Sequence, residues 1–162
     1  MKTRASGDDS IDDTFKLIHP IPMTIQSQPV ASTYSCEAIY RKISDLSNLE
    51  ELHQLLEEKQ VKVSSLTSDR CEIQAQVMKF PADLALVVSE RIPTEEVRYQ
   101  IEHDMMPANV SIRLTSQETG GSTLVVSLDA KLNPFVAGMV KPHLEEAVQY
   151  IANMLGQLRY DA

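Results

Sequence analysis

Met23 and Ile25, continued by Ser27, alternate with polar Thr24, Gln26 and Gln28, a two-residue period that predicts a half-buried strand ended by Pro29. From Ser35 the spacing lengthens. Ile39 and Ile43 stand four apart in CEAIYRKI, and Leu49, Leu52, Leu55 and Leu56 form a stripe in NLEELHQLLEE. These segments predict two short helices, the first capped by Ser35 and the second by Ser44 or Ser47.

After Gln60 the period returns to two. Apolar faces recur at Val61 and Val63, at Cys71, Ile73, Ala75 and Val77, and at Leu84, Leu86 and Val88. They continue at Val97, Tyr99 and Ile101, at Val110, Ile112 and Leu114, and at Leu124, Val126, Leu128 and Ala130. Ser68-Asp69-Arg70, Pro93-Thr94 and Gly120-Gly121 supply turns between them. The last stretch is helical again, with Val140, Leu144, Val148, Ile151, Leu155 and Leu158 at three-to-four spacing. Asn133 stands as its cap and Pro134 at its first position. Pro142 removes an internal hydrogen bond and predicts a kink or break near Lys141.

Strands joined by short turns must run antiparallel, because a parallel crossover needs about a dozen residues. A sheet with one apolar face needs a cover, and the closing helix is the long amphipathic element on hand. The expected architecture is therefore α+β: a curved antiparallel sheet of about seven strands wrapped around a long C-terminal helix, with two short helices after the first strand. Residues 23–162 form one domain in this reading. Residues 1–22, polar and acidic before an apolar patch at Phe15, Leu17 and Ile18, form an extension expected to be mobile to Asp13. Translation starting at Met23 is a second reading of the same segment.

Composition narrows the function. In 162 residues the formal charge is −8, which disfavours nucleic acid and anionic lipid surfaces, since both are held by clustered Lys and Arg. Three Phe and no Trp mean that any cavity is lined by aliphatic side chains and Met. Cys36 and Cys71 lack the spacing of a zinc site or disulfide framework, and the four histidines share no ligand spacing, so no metal or other cofactor is expected. No apolar run approaches the ~20 residues that cross a bilayer, so integral membrane association is not expected and the cytoplasm is the expected compartment.

Two stretches carry a resemblance. The first strand followed by YSCEAIYRKISDLSNLEELHQLL, and SLDAKLNPFVAGMVKPHLEEAVQYIANML at the end, resemble the opening and closing elements of the START-related, polyketide-cyclase-like SRPBCC superfamily. The similarity spans about Met23 to Tyr160 and is nearest to small bacterial SRPBCC proteins. It implies the helix-grip fold. Members of that superfamily bind sterols, phospholipids or hormones, cyclise polyketides, or act on chaperones, so the resemblance carries over no catalytic residue.

If the apolar strand faces point inward, a space between sheet and closing helix suits a small hydrophobic ligand; the alternative is that the side chains simply fill it. Candidate ligand-binding residues are Tyr99, Ile101, His103, Ile112 and Val126 on the strands, with Met105 and Met106 in the adaptable DMMPAN loop. Phe135, Met139, Leu144 and Val148 join them from the helix. Tyr99 is the expected polar anchor, competing with a core role for its hydroxyl. His103 continues the same parity toward a cavity mouth or a solvated strand end. Glu90 shares the parity of Leu84, Leu86 and Val88, which offers it an inward place where burial would raise its pKa; the preferred reading is that adjacent Arg91 or a strand-end exit to solvent satisfies it. Arg113 and Asp129 are expected to pair across the outer face.

The leading expectation is binding of a lipid-, sterol- or polyketide-like molecule rather than catalysis. A polyketide cyclase or aromatase would need several polar groups converging in the cavity, and an interaction module would show a filled core with an exposed apolar patch. A protein partner stays open beside the small molecule.

Overall fold

The structure is a computed structural model that describes residues 21–52, 58, 60–77, 80–103 and 107–160. Its elements are β1 (Ile21–Gln26), β2 (Val30–Ser32), α1 (Cys36–Ile43), a 3-10 helix (Leu46–Leu52), β3 (Lys62–Leu66), β4 (Arg70–Val77) and β5 (Phe80–Ile92). These are followed by β6 (Glu96–Glu102), β7 (Ala108–Ser116), β8 (Ser122–Leu132) and α2 (Pro134–Gln157). All pairings are antiparallel, in the order β1-β8-β7-β6-β5-β4-β3. β2 pairs with the first residues of β8, beyond β1.

The alternation pattern places the strand faces as expected. Met23, Ala130 and Ala108 share one cross-strand row, and Val97, Ile112 and Val126 share another. Val97, Ile112, Leu114, Leu124, Val126 and Leu128 are buried in the core that these rows build. α2 lies on that face over β8, β1 and β2, while α1 rests on β6 and β7. The layers are thus one curved sheet and two helical covers at different places on its inner side. Among the described residues no helix is long and apolar enough to cross a membrane.

Several local expectations are corrected. β1 begins at Ile21, two residues before Met23. Pro29 ends β1, as expected, but the chain returns to β8 as β2 before α1 begins, which raises the strand count to eight. Ser35 does cap α1, its hydroxyl accepting from Ala38 N at 3.2 Å. The second short helix, over the residues described, is the 3-10 segment Leu46–Leu52; residues 53–57 lie outside them. It starts on Asp45 rather than on Ser44 or Ser47. The Asp45 carboxylate accepts from Ser47 N at 2.9 Å and Ser47 Oγ at 2.5 Å, and these bonds lower its pKa.

α2 runs unbroken through Pro142. The proline leaves the carbonyl four residues earlier, at Gly138, without its helical donor and crowds it. Gly138 has no Cβ to add to the crowding, and both residues are exposed, so water can serve that carbonyl. Asn133 is the cap, its side-chain oxygen accepting from Phe135 N at 2.8 Å. The buried stripe of α2 is Ala137, Val148, Ala152 and Leu155, with Val140 and Leu144 partly buried against the core. Ile151, expected in it, is 38% exposed. Small Ala137 and Ala152 let the helix approach the sheet closely and turn Ile151 onto its flank.

Candidate functional site

The inner face of the sheet is built by two opposing devices, one that closes it and one that leaves it open. The closing device holds α1 by its C-terminal carbonyls, which helical geometry leaves without backbone donors. Tyr99 Oη donates to the Ile43 carbonyl at 2.5 Å, with Tyr99 only 4% exposed. Burial pushes the Tyr99 phenol well above its usual pKa, against the opposing charge of Arg91, so it stays a neutral donor. Arg91 Nε donates to the Ser44 carbonyl at 2.9 Å, and its Nη2 donates to Ser68 O at 3.3 Å and Asp69 Oδ1 at 2.6 Å. The next turn is tied to the β3–β4 connection by Leu46 N donating to Ser68 O at 2.9 Å.

Arg91 reaches this position because the β5–β6 register shifts between Val88 and Glu90. One extra residue in the bulge reverses the alternation beyond it. Glu90 therefore pairs with outward Arg98, and Arg91 with inward Val97. The bulge takes Glu90 out of the inward parity of Leu84, Leu86 and Val88: its carboxylate is exposed on the outer face and accepts from Arg98 Nη1 at 2.9 Å, with Arg98 in place of the neighbouring Arg91 as its partner. The same face carries Glu96, which takes Arg98 Nε at 2.7 Å and stands 3.8 Å from Arg113 Nε. Asp129 accepts from Thr24 Oγ1 at 2.6 Å. Arg113 and Asp129 are thus engaged with different partners instead of each other, because Arg113 sits opposite Val125 while Asp129 sits opposite Asn109.

The opening device is the asymmetry of α2. At 100° per residue, Gln149 and Gly156 fall on one flank of the buried stripe. That flank faces the sheet edge: Gln149 Oε1 accepts from Gln28 N at 2.8 Å, and a Cβ on Gly156 would lie 2.3 Å from Val30 Cγ1. The opposite flank carries Val136, Val140, Ala147, Ile151 and Met154, apolar throughout apart from His143. It points away from β2, whose side the other flank takes. Val136 is 41% and Ile151 38% exposed there. On the strands, Ile73, Leu86, Val88, Ile101 and Val110 are only partly buried although they share the inner face. The flank of α2 and the inner-face residues of β4–β7 are thus both aliphatic and incompletely buried.

A concavity of about 890 Å³ crosses the end of the sheet where β1 and β7 start and β6 and β8 finish. Ile101 and His103 line it with Met23, Asp83, Asn109 and Asp129. Among the described residues no group of His, Cys, Asp and Glu is arranged to hold a metal ion. Cys71 is buried, which raises its thiol pKa, and Cys36 is half-buried.

The sequence-derived candidates therefore separate. Tyr99, Ile112, Val126 and Val148 are buried in the core. Leu144 is partly buried against the core, and Ile101 and His103 meet at the sheet-end concavity. Phe135 and Met139 are exposed at the start of α2, at 70% and 51%. Met105 and Met106 lie outside the described residues. The apolar flank at Ala147, Ile151 and Met154 was not among the candidates, though its near four-residue spacing is visible in the chain. The inward turn of Arg91 had no sequence signal, because a bulge leaves the residue types unchanged.

No family model and no curated protein matches the chain. Solved structures do. Norcoclaurine synthase from Thalictrum flavum, in truncated form, superimposes with a TM-score of 0.63 at 9% identity, over 88% of this chain and 98% of that one. A Chromobacterium violaceum protein matches with a TM-score of 0.55 at 14% identity, over 88% and 100%. The chain shares the fold of these structures, the helix-grip fold of a curved antiparallel sheet around a long C-terminal helix. A further structure of norcoclaurine synthase, in complex with dopamine and hydroxybenzaldehyde, aligns with a TM-score of 0.61 at 10% identity over 90% of this chain and 93% of that one. At such identities the likeness is one of fold.

Proposed function

We propose that the chain binds a small hydrophobic molecule, of lipid, sterol or polyketide kind, in the cleft between α2 and the inner face of the sheet. One observation carries this reading. α2 buries a single stripe and leaves a second apolar flank, Val136 to Met154, while inner-face side chains of β4–β7 are themselves partly uncovered. Leaving this much apolar area to water is unfavourable by about 25 cal/mol per Å², and a ligand of matching character would cover it. The fold is compatible with such use, since norcoclaurine synthase has been seen with two small molecules. The protein works in this reading as a cytoplasmic binding protein of the small bacterial SRPBCC kind, with residues 23–162 as its binding domain.

A cyclase-type enzyme is less well supported. Of the three polar groups such a reading would use, the Tyr99 hydroxyl is engaged with Ile43 and Glu90 stands on the outer face with Arg98. His103 lines the sheet-end concavity.

Titration with the fluorophore 1-anilinonaphthalene-8-sulfonate tests the proposal. Saturable binding that is weakened at least tenfold by Ile151→Asp and by Val88→Asp, each folded by circular dichroism, supports it. Binding that both variants leave unchanged overturns it.

A further inference from the structure

We infer that the first turns of α2, from Pro134 to Lys141, move as a lid on a hinge at Pro142, a step that rests on the ligand-binding reading. α2 is held unevenly along its length. Its far half is clamped to the sheet: Val148, Ala152 and Leu155 are buried, Gln149 Oε1 accepts from Gln28 N at 2.8 Å, and Gly156 lies too close to Val30 to admit a Cβ. The chain end locks that half further. Tyr160 Oη donates to the Leu155 carbonyl at 2.5 Å, its ring meets that of Tyr34 edge-on at 5.6 Å, and Lys42 Nζ donates to Arg159 O at 2.9 Å. From Pro134 to His143, by contrast, only Ala137 is buried.

The two halves are joined weakly. In a continuous helix the bonds that cross this point run from residues 142, 143, 144 and 145 to the carbonyls of Gly138, Met139, Val140 and Lys141. Pro142 has no N–H, so the first of them is absent, and its ring crowds the Gly138 carbonyl. Gly138 adds freedom where the bond is lost, and nothing lies within 4 Å of the place a Cβ would take. At its other end the segment meets β8 through Asn133, a non-helical residue at φ −55° and ψ 135°. The segment thus lies between two joints, and Val136 and Val140 of the apolar flank ride on it. Its movement uncovers and covers that end of the flank, which is what a lid over the cleft requires.

Residue-resolved amide exchange by NMR separates a hinge from an ordinary fraying end. Fraying makes exchange slow steadily from Gly138 inward. A hinge instead makes the amides of His143, Leu144 and Glu145, whose bonds cross it, exchange about tenfold faster than those of Met139 to Lys141 before them and Val148 to Leu155 after them. Pro142→Ala restores the missing bond and should remove this mid-helix maximum. The same substitution should slow association and dissociation of 1-anilinonaphthalene-8-sulfonate together, about threefold, with Kd unchanged, because a stiffer lid opens less often. Exchange that slows steadily along the helix, or fluorophore kinetics that Pro142→Ala leaves unchanged, overturns the inference. A fluorophore that fails to bind a protein showing the mid-helix maximum overturns the cleft reading and leaves the hinge standing.

Discussion

The hydroxyl of Tyr99, a core residue of β6, donates to the carbonyl of Ile43 at the end of α1. A residue that the strand pattern offers as a ligand anchor is therefore the fastening of a helix to the sheet. Removing the hydroxyl in Tyr99→Phe leaves a helix-end carbonyl without its donor. The expected loss is about 1–3 kcal/mol in urea unfolding, with fluorophore binding at the cleft unchanged. Lost binding with unchanged stability would return Tyr99 to the ligand site.

The same burial sets a pH dependence. Tyr99 and Tyr160 both have phenol pKa values raised in the folded protein from an ordinary value of 10.0, chiefly through burial. Their contribution is fully present below pH 10, where both states keep the proton. Above it the unfolded chain releases protons that the native state retains, so stability falls as pH rises. Urea midpoints measured upward from pH 9 should decline above about pH 10, and Tyr99→Phe should flatten the decline.

Gly156 governs how closely α2 approaches β2. Alanine is the better helix former by about 1 kcal/mol. Its Cβ would meet Val30 Cγ1 at 2.3 Å and Ala31 O at 3.2 Å, and a β-branched side chain in a strand has little freedom to turn away. Gly156→Ala should therefore destabilise by about 1–3 kcal/mol in spite of its propensity. A stabilised variant by thermal unfolding would show that the helix moves freely at this point.

Glu90 should be silent at the cleft. Its partner Arg98 is exposed on the outer face, where an ion pair is screened and weak. Glu90→Gln should leave fluorophore affinity unchanged, and any stability difference from the parent should shrink in added salt. A shifted pH profile of binding would instead place the carboxylate inside.

Much of the fold was legible because burial on one face leaves a two-residue period. Val97, Tyr99 and Ile101 follow it, as do Leu124, Val126 and Leu128. Where regular geometry lapses, so does the signal. Val30–Ser32 is too short to show a period, and the bulge after Val88 exchanges the faces of Glu90 and Arg91 without altering a residue type. Pro142 predicts a break that an exposed glycine one turn earlier makes unnecessary. The site was harder to read, because inward-pointing does not distinguish a side chain that lines a cleft from one that fills the core. Ile112 and Ile101 are the same residue type on the same face and differ only in what lies over them: Ile112 is 6% exposed, while Ile101 is partly uncovered.

Native mass spectrometry of the protein purified without denaturation from its own host tests the central claim most directly. The account predicts a mass excess carried by an extractable hydrophobic molecule, retained by Glu90→Gln and lost in Ile151→Asp. A clean apo mass for the parent protein, or a molecule that Ile151→Asp retains in full, would contradict it.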